Sequence, residues 1–137
     1  MRIATKEWLK SASYDLLTVK RIINDELLTH IVAFHSQQAI EKSLKALMEE
    51  CEIDIPKIHH LVKLNYIVRD KFLIENTEIL KRLDELYIDA RYPSELGLLP
   101  EGKPSIEDAR EFYEFAVQVF NQVCALVEIE QEEFYGG

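Results

Sequence analysis

The stretch FHSQQAIEKSLKALM, Phe34 to Met48, decides how this chain folds. Its apolar residues return every three or four positions, the period of a helix that turns one side to a core. Laid out at about 100° per residue, the surrounding helix divides into three stripes. Ala33, Gln37, Ile40, Leu44, Leu47 and Cys51 form a core stripe. Ser36, Ala39, Ser43 and Ala46 form a ridge of small side chains that another helix could approach closely, within the same fold or across a dimer. His35, Gln38, Lys42, Lys45 and Glu49 form a polar stripe, with Glu41 beside it and one turn before Lys45.

Two features of this helix are more than solubility. Gln37 falls among apolar residues, and a buried amide without partners costs about 1–3 kcal/mol. It is therefore predicted to bond a neighbouring helix or to fix register. The polar stripe has two readings. It is either a solvated face with Glu41–Lys45 as a surface pair worth a few tenths of a kcal/mol, or one wall of a groove. In a groove, Lys42 and Lys45 would meet a phosphate while His35 and Gln38 bond a base or ribose. Periodicity alone does not choose between them.

Working outward, Trp8, Ala12, Leu16, Val19 and Ile23 predict a first helix from about Thr5 to Asn24, then a break at Asp25-Glu26. The second helix is predicted from about Leu27 to Glu50, with Pro56 closing the connection behind it. A shorter third helix spans about His60 to Lys71. Asn76 caps a fourth whose stripe is Ile79 or Leu80, Leu83, Leu86 or Tyr87, and Ala90. Ser105 with Asp108 approximates a capping box for a long fifth helix carrying Ala109, Phe112, Ala116, Val119, Val123 and Leu126. Pro93 should end helix four near Arg91. The segment RYPSELGLLPEGKPS between helices four and five is the only long loop predicted, and such loops are often functional. The expected architecture is all-α, an antiparallel bundle of four to five helices in one domain over residues 1–137, with a frayed acidic tail from about residue 128.

Composition narrows the functions. The chain has 137 residues and a net charge of −9, of which residues 101–137 carry −7 and residues 33–72 carry none. This charge argues against wholesale wrapping of a phosphate backbone, which needs many Lys and Arg, but leaves room for a local cationic pocket in the balanced part. No apolar run is long enough to cross a bilayer. Cys51 and Cys124 are too few for a zinc site and are expected to be reduced and buried, in a cytoplasmic protein without a signal sequence. His30 and His35 are five positions apart, and His59 and His60 are adjacent, so neither pair offers a metal-ligating face, and no metal or cofactor is expected.

Three motifs in order, FHSQQAIEKSLKALM, KIHHLVKL and ARYPSE, resemble those of HEPN domains, the helical family named for higher eukaryotes and prokaryotes nucleotide binding. The similarity runs from about Trp8 to Val127. It implies a bundle of four or five helices, a homodimer, nucleotide or RNA as ligand, and the pairing with a minimal nucleotidyltransferase in a toxin–antitoxin system that is frequent among such domains. The candidate nucleotide- or RNA-binding residues are His35, Gln38, Lys42, Lys45, His59, His60, Arg91 and Tyr92. Many relatives are metal-independent ribonucleases with an Arg followed, after four to six residues, by a His. Here no histidine follows Arg91, and Arg21 is separated from His30 by eight residues, so that catalytic pattern is absent. A ribonuclease built instead on His35, His59 or His60 with Arg91, and a purely protein-binding module, remain as alternatives. Self-association is expected separately from apolar character on two arcs of helix two, because Phe34 and Met48 fall outside the core stripe.

Overall fold

The computed structural model describes residues 1–91 and 103–128, without the side chains of residues 88–91. Among these residues there are five α-helices and no strand: α1 (Ile3–Ile22), α2 (Thr29–Glu50), α3 (Leu61–Ile67), α4 (Thr77–Arg91) and α5 (Ile106–Leu126). This is the expected all-α bundle. The segment 92–102 and the tail from residue 129 lie outside the described residues, so the expectations of a long loop and of a frayed end are left there.

The second helix begins later than its periodicity suggests. Asp25 accepts a bond from Leu27 N–H at 2.9 Å, which folds Glu26–Leu28 into a 3-10 turn, and α2 starts only at Thr29. At its other end Glu52 adopts a left-handed conformation at φ 56°, and the N–H groups of Glu52 and Ile53 close on Glu49 and Met48. These two bonds are a Schellman stop, which here works without the usual glycine.

α2 is the central element, packed by α1, α5, α4 and α3. Fourteen of its twenty-two residues are buried, far more than one stripe. The small ridge of Ser36, Ala39, Ser43 and Ala46 is covered within the protomer, as is Met48, and Phe34 stacks on Tyr87 of α4. The second apolar arc is thus satisfied by the chain's own helices, which removes the uncovered surface on which self-association was argued. Leu9 and Leu16 of α1, Leu80 and Leu83 of α4, and Phe112 and Phe120 of α5 complete the core around Ile40, Leu44 and Met48.

The third helix is the largest departure from the sequence pattern. It ends at Ile67 rather than near Lys71, because buried Asn65 pins the chain that follows. Its Nδ2 donates to the Phe72 carbonyl at 2.9 Å and its Oδ1 accepts from Ile74 N–H at 3.0 Å, and no helix can run through that turn. The caps read from sequence hold: Asn76 accepts from Ile79 N–H and Ser105 from Asp108 N–H. Asp108 itself pairs with Arg82 of α4, tying the fourth and fifth helices. Replacing Asn65 by Ala orphans both a buried N–H and a buried carbonyl. Urea denaturation should show a loss of about 1–3 kcal/mol without a change in helical content.

Candidate functional site

The polar stripe of α2 lies in the strip between α1 and α4, and three carboxylates from three helices organise it. Asp15 of α1 is buried, with Oδ1 2.8 Å from His35 Nδ1 and Oδ2 2.7 Å from Lys42 Nζ. Glu41 of α2 is also buried; Oε2 lies 3.0 Å from both Lys45 Nζ and His59 Nδ1, and Oε1 accepts from Gln37 Nε2 at 3.1 Å. Asp84 of α4 accepts from the N–H groups of Leu61 and Val62 at 2.7 and 3.3 Å, which caps α3 from another helix. Its Oδ2 is 3.3 Å from His60 Nδ1.

Glu41–Lys45 is not the surface pair that i,i+4 spacing allows. The two side chains are only 5% and 6% exposed. A buried ammonium and carboxylate are tolerable only when paired and further hydrogen-bonded, and Glu41 meets that condition with three donors. Lys45 also stands 5.7 Å from the Trp8 ring, within reach of its π face. Gln37 is satisfied, though by its own helix and by the connection that follows it and not by a neighbouring helix as expected. Besides Glu41, Nε2 donates to the His59 carbonyl at 2.8 Å, and Oε1 accepts from Gln38 Nε2 at 2.7 Å. The amide thereby fastens the α2–α3 connection to the middle of α2.

Each of the three histidines faces its carboxylate through Nδ1, so Nε2 is the nitrogen that these contacts leave unused. His59 and His60 are half-exposed and His35 less so. For His35 and His59 a bond to a carboxylate requires the proton on Nδ1, which fixes the tautomer of the neutral ring. His60 is different. Its Nδ1 lies 3.3 Å from both Asp84 Oδ2 and the Lys63 N–H, and it cannot donate to the first and accept from the second at once. The neutral ring caps α3; the charged ring pairs with Asp84. Burial pushes the Asp84 carboxyl above its ordinary value, and the nearby Glu41 charge adds to this. The N–H bonds from Leu61 and Val62 and the charge of His60 act in the opposite direction.

A row of rings joins the two ends of the site. His35 meets Phe34 edge-on at 5.3 Å, Phe34 stacks on Tyr87 at 5.7 Å, and Tyr87 tilts against His59 at 5.4 Å. The structure therefore gathers His35, Gln38, Lys42, Lys45, His59 and His60 around α2. It leaves out two predicted residues: the Arg91 side chain and the whole of Tyr92 lie outside the described residues, although the Arg91 backbone ends α4. Sequence reasoning missed Asp15, Asp84 and Tyr87. The available signal was a carboxylate next to a core stripe, Asp15 before Leu16 and Asp84 after Leu83. A cavity of about 280 Å³ lies elsewhere, between Phe72–Asn76 and Phe115 to Gln122 of α5, and none of the site's residues lines it.

The family model for the HEPN domain matches residues 5–127. The crystal structure of an archaeal HEPN homologue superposes with a TM-score of 0.66 at 25% identity, over 91% of this chain and 98% of that one. No curated protein matches. The chain belongs to the HEPN domain family.

Glu41→Gln should destabilise the fold by about 3–5 kcal/mol, because it strands the buried Lys45 ammonium. Glu41→Leu combined with Lys45→Met should recover most of that loss in the same urea titration. Equal stability of Glu41→Gln and wild type would show that the ammonium escapes to water.

Proposed function

We propose that this HEPN-domain protein binds a ribonucleotide, free or within single-stranded RNA, in the strip of α2 between α1 and α4. Binding occurs without hydrolysis. The observation that carries the reading is the set of three imidazoles, each backed by a carboxylate from a different helix, two of them at the ends of a row of aromatic rings. Such rings each present Nε2, which the contacts among the described residues leave unused, and ring nitrogens of this kind recognise bases, riboses and phosphates at an RNA-binding surface. Gln38 supplies an amide beside them. Against hydrolysis stands the missing histidine after Arg91, where the family's ribonuclease pattern would put its acid or base.

Lys42 and Lys45 have a different part in this reading from the one their spacing suggests. Both ammoniums are already neutralised, by Asp15 and Glu41, so they hold the floor of the site and add little net attraction for phosphate. Assembly as a homodimer and pairing with a minimal nucleotidyltransferase complete the proposal on the strength of family membership.

Titration calorimetry with ATP and with a short RNA strand tests the site. His59→Ala and Gln38→Ala should each weaken binding roughly tenfold, the worth of a hydrogen bond to a charged group, and the RNA should remain intact in EDTA. No heat at millimolar ligand, or unaltered affinity in both variants, would remove the reading. Light scattering at micromolar concentration should separately return twice the 16.0 kDa chain mass; the monomer mass throughout would exclude the dimer.

A further inference from the structure

We infer that the phosphate of the ligand is met by protonated imidazoles rather than by lysines, so that binding takes up protons and weakens as pH rises through the histidine range. The inference rests on the ribonucleotide reading of this site and concerns where its positive charge comes from. Two ammoniums and three carboxylates are spread along this strip. From α1 comes Asp15, from α2 Glu41, Lys42 and Lys45, and from α4 Asp84. The side chains of Asp89 and Arg91 lie outside the described residues. With His35, His59 and His60 neutral, the described groups carry one net negative charge, which repels an anion. With all three rings protonated the same groups carry two net positive charges. Imidazole is the side chain whose ordinary titration falls between pH 5 and 8, and three of the chain's four histidines lie along this strip, each beside one of its carboxylates.

The geometry favours the charged rings once an anion arrives. His35 and His59 each already give Nδ1–H to a carboxylate, so a proton added at Nε2 creates a second donor without moving the ring. At His60 proton uptake changes the contact: Nδ1 ceases to accept from the Lys63 N–H and pairs with Asp84 instead. Asp84 still caps α3 through Leu61 and Val62, so the helix start survives the exchange. A phosphate in front of the rings makes each of these protonations more favourable, and by linkage protonation makes the phosphate bind more tightly. Each proton taken up allows as much as a tenfold change in affinity per pH unit. The buried carboxylates thus hold the rings in place, while the lysines offset part of the carboxylates' own charge.

The test uses an RNA octamer without a terminal phosphate monoester, because its phosphodiesters do not titrate in this range. Calorimetry of the full chain in buffers of different ionisation enthalpy gives affinity and proton uptake together. Affinity at about pH 6 should exceed that at about pH 8 by at least tenfold, with net uptake of protons on binding. His59→Gln with His60→Gln should flatten the profile, whereas His30→Gln, which alters the fourth histidine away from this site, should keep it. Binding that is equal at both pH values and takes up no proton would overturn the inference while leaving the ribonucleotide reading in place. A double variant that keeps the wild-type profile would overturn it equally. No binding at either pH would remove the reading and the inference together. If the double variant loses its helical circular dichroism, His35→Gln and the proton uptake of the wild type decide the matter.

Discussion

A carboxylate in the middle of the central helix is the constraint on which the rest depends. Glu41 is buried on a helix covered by four others, and an unpaired charge there would cost more than most single interactions in the fold. The chain answers with Lys45 from the next turn, Gln37 from the previous one, and His59 from beyond the end of the helix. The first two are local. The third requires that the connection after α2 return along it, and the second bond of Gln37, to the His59 carbonyl, holds it there. The polar centre of α2 therefore specifies a path for the backbone that hydrophobic packing, being non-directional, would leave loose.

That path brings His60 and the start of α3 against α4, where Asp84 adds a second cap to the one His60 gives through the Lys63 N–H. A seven-residue helix forms poorly by itself, and here two of its first N–H groups are satisfied from another element. Asp15 plays the corresponding part on the other side of α2, where it holds His35 and Lys42. The three carboxylates serve both the fold and the site. They cross-link helices, and in doing so they orient the imidazoles that the proposed function gives to a ligand. Cutting any one of them would disturb packing and recognition together.

Much of the bundle was legible in the sequence because its causes are local. The stripes of α1, α2, α4 and α5, the Asn76 and Ser105 caps, and the need of Gln37 for partners all follow from periodicity and from side chains near in sequence. What was hidden depends on residues far apart. Nothing next to Lys45 shows that it will be buried beside Trp8, so its pairing with Glu41 looks like an ordinary surface contact. Asn65 ends α3 through Phe72 and Ile74, and a helical count of apolar positions runs past it. Asp15 and Asp84 sit beside core stripes as single acids, and only the fold shows that each faces a histidine from a different segment. The second apolar arc of α2 suggested a partner chain for a similar reason: sequence cannot show that α4 already covers Phe34.

The neutralised lysines also bear on how an acidic protein of this family could hold a polyanion. The overall charge of −9 opposes RNA at long range, and the fixed cations of the site are balanced by their own carboxylates. A site of that kind cannot rely on bulk attraction and is insensitive to any anion that happens to be near. Under the proposed function it responds to a ligand that engages several groups together: ring nitrogens, an amide, and a phosphate whose arrival is matched by proton uptake. Weak general attraction is then an advantage for selectivity, because the charge needed for binding is assembled only where the bonding pattern is already met.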